Sequence, residues 1–448
     1  MRGESSLPLR LFYTILIPAF AGGIIMKIKN RALAYDKVLS IQPEPHLLPK
    51  RPSIFYRTLL KAFSRPDLRA VDFSYTTQGM ERLGSDEPAL FLMNHSSFID
   101  LKIAATVLYP RPFNIVCTSD GFVGKQWLMR NLGCIPTKKF IMDTTLVRDM
   151  RYAAETLHDS ILLYPEASYS FDGTATPLPA SLGKLLKLLK LPVVMIKTSG
   201  AFLRDPLYNM LQLRKVKVSA ALSYMLSPEE IQAKSAAELN KILTALFTFD
   251  NFRDQQEHHI CVDEAFRADG LNRVLYKCPC CQTEGKMVGK GTHLRCKHCG
   301  TGWELDEYGW LQAETGDAVF SHIPDWYAWE RDCVRRELQE GLYRLELPVE
   351  IRMLVDSKCL YTVGDGTLVH TADGFHLTGC GGKLDYRHSP ASSYSLYSDF
   401  YWYELGDMIC IGDANTLYYC FPKTTEDVVA KARLAAEELF KMQRCRQL

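Results

Sequence analysis

Along the first half of the chain, short apolar runs alternate with amphipathic segments. Ala89-Leu90-Phe91-Leu92-Met93, Phe113 to Cys117, "SILL" from Ser160, "LPVVMI" from Leu191 and "KVKVSAALSYML" from Lys215 read as strands bounded by polar, Gly or Pro residues. Val71 to Tyr75 adds another. Between them the spacing predicts helices over Ile54–Phe63, ended by Ser64-Arg65-Pro66, over Phe98–Tyr109 with Ser97 as N-cap, and over Gln126–Leu132. Ser227-Pro228 starts another helical stretch, and Ser235 with Glu238 forms a capping box within it. This rhythm predicts an α/β sheet flanked by helices, with sites gathered where strand ends meet loops.

The pattern then changes. Residues 251–275 are polar and read as a connector, followed by a cysteine-rich stretch. From Ile323 a helix leads into many short β-like runs, with turns at Gly364-Asp365-Gly366, Ala372-Asp373-Gly374 and Gly381-Gly382. A last helix places Val428, Ala432, Ala435, Leu439 and Met442 on one stripe. Small antiparallel strands closed by a terminal helix resemble the pleckstrin-homology-like domains, although another small β-sandwich has the same pattern. The expected organisation is a membrane-associating segment 1–60, an α/β catalytic domain 61–250, the connector 251–275, a zinc ribbon 276–315 and a β-rich domain 320–448.

At 448 residues the chain is long enough for several domains, and its apolar content of 47% describes a globular protein. A net charge of +2 argues against a nucleic-acid-coating surface, and the stretch's Lys286, Lys290, Arg295 and Lys297 lack an aromatic stacking platform, so no nucleic-acid partner is expected. The apolar stretch Leu11–Met26 is shorter than the roughly 20 residues of a spanning helix and is broken by Pro18 and Gly22-Gly23. With basic residues on both sides, it fits a peripheral or monotopic anchor on the cytoplasmic face better than a span. A buried core helix and a signal peptide are the alternatives.

Two features carry candidate chemistry. Cys278-x-x-Cys281 and Cys296-x-x-Cys299 form two knuckles around a hairpin-like stretch, and four thiolates in that arrangement close a tetrahedron around a structural Zn²⁺. Cys280 and His298 are left as non-ligands. The heptad "NHSSFID", residues 94–100, follows an apolar strand and opens a helix. There Asp100 lies in the first turn, where the helix dipole favours a carboxylate. His95, in the loop, can meet Asp100 through one ring nitrogen and keep the other free to take a proton. A polar cap is the bland alternative.

The block from Ala89 to Ser223 resembles the glycerolipid acyltransferases that include bacterial 1-acylglycerol-3-phosphate acyltransferases. Asn94, His95, Ser97 and Asp100 match the family's first motif, and "GCIPTKKF" with Lys138 and Lys139 is similar to the second. "PEASYS" stands for the third, usually P-E-G-T-R-S: Pro165, Glu166 and Ser170 match, while Ala167, Ser168 and Tyr169 depart. "LPVVMI" is the fourth.

The resemblance implies a membrane-associated O-acyltransferase that moves an acyl group from acyl-CoA or acyl carrier protein to a lysophospholipid hydroxyl. His95 would be the general base and Asp100 its orienting acid. Asn94, Ser97, Lys138, Lys139, Glu166, Ser168, Tyr169 and Ser170 would hold substrate. Tyr169 cannot reproduce the bidentate clamp of the usual arginine, so either the lysines meet a phosphate or the acceptor has changed. A catalytically eroded lipid-binding scaffold, using the ribbon and the last domain for contacts, is the alternative.

Overall fold

The computed structural model describes residues 28–141 and 143–447, with side chains to Arg444. The apolar N-terminal stretch therefore lies outside the described residues. Among those described, no helix is long and apolar enough to cross a membrane.

The first unit is a seven-stranded sheet of β1 (Ser74–Gln78), β2 (Leu90–Met93), β3 (Phe113–Thr118), β4 (Cys134–Thr137), β5 (Ser160–Leu163), β6 (Val193–Ser199) and β7 (Ser219–Leu226). Its order is β1-β7-β6-β2-β5-β3-β4. Neighbours run parallel except at β6/β7, so β1 and β7 oppose the other strands. The central strands β2 and β5 are buried throughout, as the apolar runs Leu90–Met93 and Ile161–Leu163 require in a sheet covered on both faces. Phe91 and Met93 face a core with Ile99 and Ile103, whereas Leu90 and Leu92 face another with Met150 and Leu186.

Helices α1 (Ile54–Ala70), α2 (Asp100–Val107), α3 (Thr144–Glu155) and α4 (Leu182–Leu189) flank this sheet. Three local expectations change. First, α1 continues through Pro66, because buried Leu68 and the Asp67–Lys102 ion pair hold the last turn against the body. The β-run predicted at Val71–Tyr75 shifts to β1. Finally, α2 begins at Asp100, not after a Ser97 cap: Ile99 is its N-cap, and the Ser97 hydroxyl donates to Asp205 instead. Both Ser227 and Ser235 form complete capping boxes.

Residues 251–275 include the helix Asn251–Glu257, and their Phe252, Leu271 and Leu275 are buried in a core shared with the following segments. Next comes an antiparallel four-stranded sheet of β8 (Met287–Lys290), β9 (His293–Cys296), β10 (Gly302–Leu305) and β11 (Leu311–Ala313).

Helix α5 (Ile323–Gln339) leads to β12 (Leu345–Leu354), β13 (Leu360–Thr371), β14 (Gly374–Gly379), β15 (Leu384–His388), β16 (Tyr397–Trp402), β17 (Gly406–Gly412) and β18 (Leu417–Pro422). These strands are antiparallel in the order β15-β14-β13-β12-β18-β17-β16, and a short strand, Asn30–Ala32, pairs parallel with the start of β13. The closing helix α6 (Val429–Gln447) buries Ala432, Ala435 and Leu439 as the stripe required, and it pairs with α5 through Arg331–Glu437 at 2.7 Å.

Candidate active site

The loop between β2 and α2 is built around one carboxylate. Asp100 Oδ2 accepts the backbone N–H groups of Ser96 (2.8 Å) and Ser97 (3.0 Å) and lies 3.1 Å from His95 Nδ1. Asp100 is buried, whereas the His95 side chain keeps 17% of its surface open to a cavity of about 860 Å³. With Nδ1 held by Asp100, Nε2 is the nitrogen left for substrate. Burial lowers the His95 pKa from its ordinary value, and Lys139 pushes the same way against the opposing pull of Asp100. The imidazole is therefore held as a free base near neutral pH.

Asn94 does not reach into this space. Its Oδ1 accepts the Thr198 backbone N–H (2.8 Å), and its Nδ2 donates to Ser96 Oγ (2.9 Å), so it staples the end of β2 to β6. Ser97 is likewise spent on Asp205 and on the Ile99 backbone N–H.

Glu166 supports the loop from the side. Its carboxylate accepts the His95 N–H (3.0 Å) through one oxygen and the Thr176 N–H (2.9 Å) through the other. Burial raises its pKa to about 7, partly offset by those hydrogen bonds. Ala167, where the resemblance places glycine, keeps a left-handed conformation at φ 56°. This is a conformation that glycine adopts freely and alanine does not.

Tyr169 lies flat on the His95 ring, with centroids 4.0 Å apart, and Tyr164 covers the imidazole at 4.3 Å. Ser168 accepts a 2.6 Å bond from Arg433 on α6, which also donates to the Tyr169 carbonyl (3.2 Å). Ser170 turns into its own loop, donating to the Thr174 carbonyl at 2.6 Å. The lysines diverge: Lys138 Nζ donates to the Ala414 carbonyl, and Lys139 Nζ lies 4.3 Å above the Tyr397 ring, facing Asp399 and Asp120. Of the predicted substrate residues, Lys138, Lys139 and Tyr169 line the cavity with His95 and Ser97, while Asn94, Glu166, Ser168 and Ser170 build its frame.

Sequence reasoning missed Tyr164, Arg433, Asp120 and the cavity wall formed by β16. Tyr164 was findable, since it directly precedes Pro165-Glu166 at the end of an apolar strand. No local signal pointed to the others.

The four cysteines converge as spaced. Their Sγ atoms lie within 4.8 Å of one another, with Cys278–Cys299 and Cys281–Cys296 both at 3.7 Å. A tetrahedron with Zn–S bonds of about 2.3 Å has S–S edges of about 3.8 Å, so the donor set fits that ion. The knuckles repeat one backbone pattern: Cys278 N–H to Thr283 O (3.0 Å) matches Cys296 N–H to Thr301 O (2.9 Å). Cys280 and His298 lie outside the cluster.

An acyltransferase family model matches residues 74–198, a little over a quarter of the chain. Among solved structures, the chain is similar to the 1-acyl-sn-glycerophosphate (LPA) acyltransferase PlsC from Thermotoga maritima, at 17% identity and a TM-score of 0.33, over 43% of this chain and 76% of that one. No curated protein matches. Residues 74–198 thus carry an acyltransferase-family α/β core, with the His95–Asp100 pair inside the matched span.

Proposed function

We propose that the protein transfers an acyl group from a thioester, acyl-CoA or acyl carrier protein, to a hydroxyl of a lysophospholipid or related lipid alcohol at a membrane surface. The observation that carries this reading is the His95–Asp100 pair, buried on the Asp side and open to the cavity on the His side. The acceptor hydroxyl gives its proton to His95 Nε2 as its oxygen bonds to the acyl carbon. The carbon–sulfur bond then breaks, and the same proton passes to the departing thiolate. Asp100 stabilises the intervening imidazolium, and general-base help of this kind contributes on the order of 10²–10⁴ in rate. The opening of the cavity suits a lipid acceptor: Phe98 and Leu188, both lining it, are 38% and 45% exposed beside Lys184 and Arg444.

Within the same reading, the cysteine cluster with β8–β11 is a zinc ribbon. Zn²⁺ held by Cys278, Cys281, Cys296 and Cys299 would supply structure and no open coordination position. The β12–β18 sheet with α6 is a pleckstrin-homology-like unit serving as the cavity's second wall.

The test is acyl transfer by the purified full chain and by His95→Ala, with labelled thioester donors. The expected result is loss of about 10²-fold or more in transfer with an unchanged melting temperature. Retained turnover in the variant refutes the assignment.

A further inference from the structure

The cavity has two unlike walls. One carries His95, Tyr164 and Tyr169, and the other comes from β16 and the turn after it, where Tyr397, Asp399, Tyr401, Trp402 and Tyr403 line the space. That second wall is strained on purpose-bearing ground: Tyr401, Tyr403 and Glu404 all have left-handed backbones (φ 52°, 47° and 61°), and β16 slips register against β17 between Asp399 and Trp402. Non-glycine residues keep such conformations only where their surroundings impose them, and such outliers cluster at ligand sites. Asp407 holds the first of them, accepting the Tyr401 N–H at 2.9 Å while Arg273 grips the same carboxylate at 3.2 Å.

The charges in this chamber do not suit a phosphate monoester. Lys138 is turned to the Ala414 carbonyl, and Lys139 faces Asp399 and Asp120, with Arg433, itself paired to Glu437, close enough to push on its charge. Asp100 and Asp143 bring the carboxylates of the lining to four. Lys184 and Arg444 also line the cavity but are solvent-exposed. A phosphate monoester brings a charge of about −1.5 to −2 near neutral pH, and the lining offers no excess of cations to meet it: Lys138, Lys139, Lys184 and Arg444 stand against Asp100, Asp120, Asp143 and Asp399. Asp120 is already engaged by the Tyr397 hydroxyl at 3.2 Å, and Tyr397 is fixed in turn by Trp402 Nε1 at 2.9 Å. Asp399 has one carboxylate oxygen buried without a hydrogen-bond partner. A carboxylate with spare acceptor capacity beside aromatic faces and a lysine donor fits hydroxyl groups on a carbon ring or polyol.

We propose that the chamber between Lys139 and Asp399 binds the uncharged, polyhydroxylated head of the lipid acceptor, with Asp399 accepting hydroxyl hydrogens and Tyr401 and Tyr403 offering ring faces. This rests on the acyl-transfer reading and names its acceptor class. Burial also raises the Asp399 pKa to about 7, so the group serves hydroxyls as acceptor or donor across the neutral range.

The experiment uses the full chain in mixed micelles with labelled acyl-CoA and three acceptors sharing one acyl chain: lysophosphatidate, monoacylglycerol and monoacyl-glucosylglycerol. The expected result is that both phosphate-free acceptors exceed lysophosphatidate by at least about ten-fold in kcat/KM. Asp399→Asn, which keeps shape, should raise KM for the glucosyl acceptor about ten-fold while kcat changes little. Lys139→Met provides a second variant with the same expected direction. A smaller preference, or KM values unmoved in both folded variants, overturns the proposal. Release of CoA that needs His95 but reaches none of the three acceptors also overturns it and leaves acyl transfer standing. No donor turnover at all removes both.

Discussion

Replacing Asp100 by Asn tests the candidate site most sharply, because the substitution removes charge and keeps shape. The asparagine oxygen can still accept the Ser96 and Ser97 N–H groups that Asp100 Oδ2 now holds at 2.8 and 3.0 Å, so the loop should persist. What is lost is the anion 3.1 Å from His95 Nδ1. With the imidazolium and carboxylate charges centred about 4 Å apart in an effective dielectric near 20, the pair is worth about 4 kcal/mol. That corresponds to about 10³ in the rate of a step that builds the imidazolium. Asp100 also raises the His95 pKa, which burial holds below its ordinary value. Removing it lowers that pKa further, so the acid limb of the pH–rate profile should move to lower pH. The assay is thiol release from acyl-CoA with acceptor present, followed from about pH 5 to 9 for both proteins, with melting curves beside it. A folded Asp100→Asn protein that loses less than about ten-fold in kcat, or whose acid limb stays in place, refutes the dyad.

Three further outcomes follow from the same geometry. Glu166 has its folded pKa raised to about 7 from 4.5, so its contribution to stability is fully present below about pH 4.5 and is lost as pH rises through 7. Stability of Glu166→Gln relative to the parent should therefore improve by about 3 kcal/mol between pH 4.5 and 8, and a pH-independent difference in urea melts contradicts this. Arg433→Met removes the bonds to Ser168 and Tyr169 and strands part of the Glu437 pairing; the expected cost is about 3 kcal/mol in stability, with the pH–rate profile moving as Tyr169 leaves the His95 ring, and an unchanged profile contradicts that link. Elemental analysis of the full chain should give about one Zn²⁺ per molecule, and a strong chelator should lower the melting temperature; a metal-free protein with unchanged melting removes the zinc assignment.

What could be read along the chain was governed by nearby residues. His95 meets Asp100 because both belong to one tight loop closed by backbone bonds to the same carboxylate. The helix start at Ser227-Pro228 and the capping box at Ser235 are local patterns, and so are the two cysteine knuckles with their repeated backbone bonds. The apolar runs Leu90–Met93 in β2 and Ile161–Leu163 in β5 announced strands of a sheet with helices on its faces. Where long-range packing competes with local chemistry, the local reading failed: Pro66 does not end α1, and Ser97 donates its hydroxyl to Asp205 while Ile99 takes the N-cap position of α2.

Only the tertiary structure decided who surrounds the histidine. Tyr169 was legible as a departure from an expected arginine, yet its stacking on His95 depends on a loop held by Arg433, more than 250 residues further along the chain. Asp399, on β16, and Lys139, just after β4, likewise face each other from two different sheets. Composition and periodicity record which side chains seek burial and which peptide groups can cap, since those energies are settled within a few residues. The pairing of a charge on one sheet with a loop of another is settled by sheet order and helix packing, and neither leaves a mark at the positions that meet.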